Sequence, residues 1–439
     1  MQSPTVRLEV TYLRVTSLKP DPRNPRIHTD KQVRQIAQSI ESFGFNVPVL
    51  IDEQQKVIAG HGRLMAARKL GWHTVPAIKL GHLTESQRAA FLIADNRLTE
   101  TSSWDERLLG EQLKILSELE LDFELEAIGF ETPQIDLLID SLNAVPEADP
   151  DDRVPELSES AVTAVGDLWQ LGKHRVLCGD SLSTVSYKQL MGDEKADLVI
   201  TDPPYNVVID GHASGNGSVH HREFAMASGE MSSTEFTDFL RKAMRAARNH
   251  STAGSLAYYF MDWRHMREIL SAGHEVYAQL LNLCVWAKNN GGMGSFYRSA
   301  HELVFLFKNG IESNRNNIQL GKFGRYRTNV WNYPGANSFS RSHSEGNLLA
   351  LHPTPKPVAL IADAIKDCTA RGDLILDPFL GSGTAVIAAE RVGRRCYGLE
   401  LDARYVDITI RRWQKHTKLE AVHAESGATF NSKDNQRGQ

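Results

Sequence analysis

The chain has little cysteine: Cys178, Cys284, Cys368 and Cys396 are the four in 439 residues. None forms a C-x-x-C pair, so neither a zinc site nor a disulfide framework is expected. Reduced, buried thiols in a cytoplasmic protein are the expectation. The 16 histidines show no H-x-x-x-H clustering, so no metal centre is expected. No run of about 18 apolar residues exists, which predicts no membrane span. The N-terminus lacks the basic-then-apolar pattern of an export signal. No internal repeat is apparent. Net positive charge is missing too: 49 Lys and Arg against 54 Asp and Glu leave −5, an odd balance for a polyanion binder.

The rest of the composition is ordinary. Hydrophobic content of 41% and charged content of 23% describe a globular protein, and 439 residues predict more than one domain. The charge is unevenly spread. Residues 101–160 hold 17 acidic and 3 basic side chains, whereas residues 241–345 hold 14 basic and 6 acidic. Phosphate binding depends on the local field, so the second segment can serve a polyanion despite the total. A solvated basic face is the plainer reading.

Two motifs carry chemistry. The apolar run Ala196–Thr201 reads as a buried strand, and Asp202-Pro203-Pro204-Tyr205 follows it. Two prolines stop the strand, remove two donors and stiffen the turn. What remains is a carboxylate acceptor, bare carbonyls and an aromatic face. That set suits an exocyclic amino group on a flat ring, with Tyr205 stacking on it. A plain strand-ending turn is the alternative. The second motif starts from the strand-like run Leu374–Asp377, continues through Pro378 and Phe379, and reaches Gly381-Ser382-Gly383-Thr384 before a helical stretch. Glycines at a strand-to-helix turn let a ligand approach free N–H groups. Glu400 ends the next strand, about 20 positions on, where a ribose hydroxyl is read in nucleotide-binding α/β folds. Val386 occupies the third glycine position of G-x-G-x-x-G, which argues against a dinucleotide site.

Together these residues resemble the S-adenosylmethionine-dependent DNA amino-methyltransferases. Phe379-Leu380-Gly381-Ser382-Gly383 matches the family's F-x-G-x-G turn, and Asp202–Tyr205 matches its [DNS]-P-P-[YFW] turn. The catalytic motif comes first, an order similar to the permuted β group. Asp180, in Cys178-Gly179-Asp180, stands where the family places an acid near the adenine of the cofactor. Lys356, in His352-Pro353-Thr354-Pro355-Lys356-Pro357, stands beside its methionine end. The resemblance covers roughly residues 165–417. It implies S-adenosyl-L-methionine as cofactor, held by Asp180, Lys356, Asp377, Phe379, Gly381, Gly383, Thr384 and Glu400. It implies Asp202, Pro203, Pro204 and Tyr205 as the catalytic turn.

The chemistry follows from these parts. An adenine amino nitrogen is a weak nucleophile, but a sulfonium is a good leaving group. The protein must mainly position the nitrogen and exclude water. A base inside a duplex must be flipped out first. No Pro-Cys dipeptide exists, which disfavours a covalent cysteine route to C5-methylcytosine. Asp at position 202 favours adenine N6 over cytosine N4, by resemblance. The remaining alternative is a DNA-binding protein whose transferase half is inactive, against which the intact motif residues argue.

The fold expected is α/β: a doubly wound, Rossmann-like methyltransferase sheet in permuted order over residues 161–420. Ahead of it lie a small α/β domain (1–100) and an acidic helical connector with exposed linker (101–160). A disordered tail (421–439) is expected behind it. In the first domain a helix is predicted over 30–43, and Gly60-His61-Gly62-Arg63 turns into another helix. This segment resembles the ParB-like N-terminal domain, with Ile93-Ala94-Asp95-Asn96-Arg97 trailing it. His61 and Gly62 depart from the commoner G-E-R-R form, which puts nuclease or nucleotide-hydrolysing activity in doubt. A DNA-handling or nucleotide-binding accessory is the functional reading. Residues 311–347 break the α/β rhythm and lie where the permuted group keeps target recognition. Arg315, Lys322, Arg325, Arg327, Asn329 and Arg341 are the candidate contacts to double-stranded DNA there. A homodimer is a further expectation of the resemblance.

Overall fold

In the computed structural model the described residues are 7–100, 102–142, 149–155, 157–158, 160–206, 230–289, 291, 296–322, 324–335 and 356–437. The chain divides into two compact units, Met1–Asn143 and Ala144–Gln439.

The first unit holds β1 (Val10–Arg14), α1 (Asp30–Phe43), β2 (Val49–Ile51), β3 (Val57–Ala59), α2 (His61–Lys69), β4 (Thr74–Lys79), α3 (Glu85–Glu100), α4 (Glu106–Glu118) and α5 (Thr132–Asp140). Its sheet runs β1-β4-β2-β3. Thr29 caps α1 by accepting from the Gln32 N–H, and Val33, Ala37 and Ile40 form its buried stripe. The acidic stretch folds around its own small core, where Leu113 on α4 meets Leu125, Ile135 and Ile139.

The second unit supplies β5 (Leu168–Leu171), β6 (His174–Cys178), α6 (Thr184–Met191), β7 (Ala196–Thr201), α7 (Ser233–Asn249), β8 (Ser251–Met261), α8 (Met266–Val276), β9 (Gln279–Ala287), β10 (His301–Lys308), β11 (Val330–Asn332), α9 (Val358–Cys368), β12 (Leu374–Asp377), α10 (Thr384–Arg391), β13 (Arg395–Glu400), α11 (Ala403–Thr417), β14 (Val422–His423) and α12 (Phe430–Arg437). The sheet order is β11-β9-β10-β8-β7-β12-β13-β6-β5-β14. Its centre, β8-β7-β12-β13-β6, is parallel. β10 and β5 join antiparallel on the flanks. Alternate strand residues feed opposite faces. Leu198 and Ile200 enter one core with α9, α10 and α11, while Val199 enters the other with α6, α7 and α8. This is a doubly wound α/β sheet, and ligands of such sheets bind beyond the carboxyl ends of the strands. All four cysteines are buried and unpaired. Among the described residues no helix is long and apolar enough to cross a membrane.

Two expectations change here. Residues 421–437 are not a loose tail. β14 pairs with β5, α12 follows, and Phe430 is buried edge-on against Trp169. One aromatic ring in a polar stretch anchors it. Nor is the end of the linker exposed. Arg391 grips Asp149 and Asp151, Arg412 donates to the Asp151 carbonyl, and Asp152 accepts the Val358 N–H at the start of α9. Acidic residues here meet arginines, of which Arg412 is buried.

Candidate active site

The two motifs end neighbouring parallel strands. Leu198 pairs with Ile375 and Val199 with Leu376, so Asp202 and Asp377 leave the sheet at the same edge. The Thr201 hydroxyl donates to Asp377 Oδ1 at 2.6 Å, which ties the turns together. The edge gains a third contributor from β10. That strand runs antiparallel to β8 with Leu303 opposite Met261, which brings its His301 end to the carboxyl end of β8.

At the Asp202–Tyr205 turn the charges are paired. Lys356 Nζ lies 2.5 Å from Asp202 Oδ2, and the Tyr205 hydroxyl donates to Asp202 Oδ1. Lys356 also lies 3.1 Å from Glu302 Oε2, and Lys288 Nζ lies 2.5 Å from Glu302 Oε1. The Lys356 ammonium faces the rings of Phe260, Tyr205 and Trp286 at 5.2, 5.6 and 5.9 Å. Burial pushes the Asp202 carboxyl up, against the pull of Lys356. Burial alone would raise Glu302 as well, but the ammoniums of Lys356 and Lys288 hold it at about 2. Lys356 itself is desolvated, yet the two carboxylates keep its proton on. Pro203 and Pro204 complete the turn. Asn206 then adopts a left-handed φ of 52° and clasps Met231, donating to its carbonyl at 2.7 Å and accepting from its N–H at 3.2 Å.

The glycine turn is arranged differently. Gly381 and Asp402 donate backbone N–H groups to the two Glu400 oxygens, each at 2.8 Å. The Phe379 N–H donates to Asp377 at 3.1 Å, and the Phe379 ring leans on Phe239. Burial pushes both Asp377 and Glu400 up to about 7. Gly383 caps α10 with φ of 82°, and a Cβ there would meet the Thr409 side chain at 2.5 Å. Thr384 opens α10, buried beside Arg412. Asp180 follows β6 and accepts the Leu182 N–H at 2.8 Å, while Gly179 donates to the Glu400 carbonyl at 2.9 Å. Asp180 and Glu400 thus sit at the carboxyl ends of the neighbouring strands β6 and β13.

Three family models match the chain: DNA methylase over residues 196–411, ParB N-terminal domain over 1–96, and ParB-methyltransferase HTH domain over 107–165. The chain carries a DNA methylase domain over residues 196–411, with a ParB N-terminal domain ahead of it in sequence. The methylase is 25% identical over 248 residues to the Type II methyltransferase M.HpaI of Haemophilus parainfluenzae, which spans 54% of this chain and 73% of that one. Its N-terminal region is 45% identical over 82 residues to the ParB-like nuclease domain-containing protein YnaK of Escherichia coli (strain K12), or 19% of this chain and 94% of that protein. Among solved structures, the PvuII DNA methyltransferase (cytosine-N4-specific) aligns with a TM-score of 0.41 and 16% identity, covering 64% of the methylase and 94% of that chain.

The basic segment of the methylase departs most from expectation. Arg325 is 7% exposed and bonds Asp367 at 2.6 Å. Arg327 bonds Asp367 at 3.0 Å and the Tyr333 hydroxyl at 2.9 Å. Both were expected on DNA. Both instead face the buried Asp367 carboxylate on α9, whose burial pushes it up against the pull of the two guanidiniums. Arg315, Lys322 and Asn329 are exposed, with the Asn329 amide donating to the Leu283 carbonyl at 3.1 Å. Arg341 lies outside the described residues, as do residues 352–355 of the motif ahead of Lys356.

In the ParB-like unit, Gly60 caps α2 at φ of 95°. His61 is buried and accepts the Asp21 N–H at 3.3 Å, and a Cβ on Gly62 would press on Ile36 and His28. Arg63 reaches the Pro48 carbonyl at 3.4 Å and borders a cavity of about 410 Å³ with Ile40, Phe43 and Asn46. Sequence reasoning missed the helix-turn-helix match, Asn206, Lys288 and Glu302. For Glu302 a signal was present: one carboxylate inside the apolar run His301–Lys308.

Proposed function

We propose that the methylase transfers a methyl group from S-adenosyl-L-methionine to the exocyclic N6 of an adenine flipped out of double-stranded DNA. The observation that carries this reading is the Thr201–Asp377 hydrogen bond, which sets the amine-binding turn beside the cofactor turn. The residues at the glycine turn fit the cofactor's charge. The buried Asp377 and the half-buried Glu400 are acids whose hydrogen bonds come from backbone N–H and hydroxyl groups, and a cationic donor would supply the missing counter-charge. When bound, S-adenosyl-L-methionine supplies a methyl group on a sulfonium.

The protein groups do the rest. Glu400 is placed for ribose hydroxyls and Asp180 for the adenine side. Asp202 accepts from the target amine, Pro203 and Pro204 hold its carbonyl acceptors fixed, and Tyr205 stacks on the base. Asp202 stabilises the positive charge that develops on the nitrogen and need not remove a proton before attack. Lys356, which the resemblance puts at the cofactor's methionine end, has its ammonium on Asp202. It therefore borders the target amine as well. Arg315, Lys322 and Asn329 are the remaining candidates for DNA contact, and the Gly60–Arg63 turn is an accessory ligand-binding element.

The test is incubation with cofactor carrying a labelled methyl group and with duplex DNA, followed by mass analysis of nucleosides. Labelled N6-methyladenine is expected. N4-methylcytosine in its place would overturn the choice of base, and absence of label the whole reading.

A further inference from the structure

Asp202 would meet an incoming amine with both its oxygens already engaged. Lys356 holds one and the Tyr205 hydroxyl the other. The ammonium matters most. The target nitrogen becomes positive as it gains the methyl group, and a lysine cation a few ångströms away opposes that charge. Something must take the lysine elsewhere.

Glu302 stands ready for it. Its Oε2 lies 3.1 Å from Lys356 Nζ and 3.2 Å from the Tyr205 hydroxyl, so one carboxylate oxygen already reaches both donors that occupy Asp202. The Glu302 side chain is 7% exposed against 22% for Asp202, so Glu302 is the inner carboxylate and Asp202 the outer one, open to a ligand. Lys288 fixes the other Glu302 oxygen at 2.5 Å. The Phe260 and Trp286 rings offer the moving ammonium a continuous wall.

The geometry points to Glu302 as a positioning residue that takes Lys356 and the Tyr205 hydroxyl from Asp202 when the target amine binds. This rests on the methyl-transfer reading above. Glu302 touches neither substrate nor cofactor. It acts through Lys356 and Tyr205, and no covalent step is added to the reaction. Two carboxylates and two lysines keep the cluster neutral in both arrangements, so the exchange moves no net charge across the site.

The experiment measures methyl transfer by Glu302→Gln and Glu302→Asp beside the wild-type protein, with cofactor affinity by calorimetry and folding by thermal melting. Gln keeps the shape and drops the charge, so Lys356 stays on Asp202. We expect a kcat loss of about thirtyfold with KM and cofactor affinity within about threefold. We also expect the Gln variant to recover rate toward alkaline pH, because Lys356 holds its proton less tightly without the Glu302 charge and so releases Asp202 sooner. The wild-type rate stays flat there. Glu302→Asp keeps the charge and is expected within about fivefold of wild type. A Gln variant with wild-type kcat overturns the inference, and so does an equal loss for Gln and Asp with no alkaline recovery. Where the Gln variant does not fold, the Asp variant decides alone: a loss beyond about thirtyfold overturns the inference. An inactive wild-type protein would instead count against the methyl-transfer reading, so the two failures are separable.

Discussion

The two turns at this sheet edge use buried carboxylates in opposite ways. At the Asp202–Tyr205 turn, Asp202 and Glu302 face Lys356 and Lys288, and every buried charge has a partner. At the glycine turn Asp377 and Glu400 are as deeply buried, yet their bonds come from backbone N–H groups and the Thr201 hydroxyl. The result is two kinds of carboxylate at one edge of the sheet. Glu302 is held at about 2 by its lysines, whereas Glu400 is pushed to about 7 by burial. A paired carboxylate is set before the ligand arrives. An uncompensated one waits for a cation to complete it.

The largest effect should come from the paired turn. Asp202→Ala removes the acceptor proposed for the amine and leaves Lys356 facing the developing charge. Turnover is expected to fall about a thousandfold or more while cofactor affinity stays near wild type. Labelled-methyl transfer and calorimetry check the two halves. Near-wild-type turnover would mean that the pairing at this turn is only structural.

Gly383→Ala strikes the other turn. The new Cβ would enter the Thr409 side chain, on a backbone at φ of 82°. The turn must shift, at about 1–3 kcal/mol of strain, and cofactor affinity should drop at least about tenfold with it. The contrast with Asp202→Ala is the point: loss of binding here, loss of rate there.

Much of this site was legible in the chain because its signals are local. Pro203 and Pro204 stop a strand wherever they occur, and Gly381 and Gly383 allow a turn that other residues resist. The order of the motifs and the pairing of their strands followed. Glu302 was not legible, since its place depends on β10 running back along β8 to the same edge. Arg325 and Arg327 misled for a related reason. Their partner Asp367 lies about 40 residues further on, and a basic cluster looks alike whether it meets phosphate or a buried acid. The tail misled because one ring, Phe430, outweighed a polar neighbourhood.

The uncompensated turn should respond to pH. Glu400 keeps its proton below about 7, and the ionised form is the better acceptor for ribose hydroxyls. Cofactor affinity is therefore expected to rise by up to about tenfold from about pH 6 to about pH 8. Stability without cofactor moves the other way. A raised folded pKa contributes stability that is present below the unfolded value and lost as pH rises through about 7. Calorimetry across that range, repeated on Glu400→Ala, checks both. The variant should lose most of the affinity slope. An unchanged slope would assign the titration to Asp377, which is pushed up equally.

The smallest effect separates structural cations from DNA-facing ones. Arg325→Ala strips a buried partner from Asp367 and should cost about 3 kcal/mol of stability. The salt dependence of DNA binding should not change, because Arg325 is buried against Asp367. Arg315→Ala removes an exposed charge and should leave melting within about 0.5 kcal/mol of wild type. It should weaken DNA binding about equally across sequences and lower the slope of log affinity against log salt by about 1. Fluorescence anisotropy on labelled duplexes at several salt concentrations reads both variants. A reversed outcome, with Arg325 carrying the salt slope and Arg315 the stability, would mean that the α9 ion pairs open when DNA binds. The acids on α9 would then be exchanging partners with phosphate, as Asp202 and Glu302 are argued to exchange Lys356.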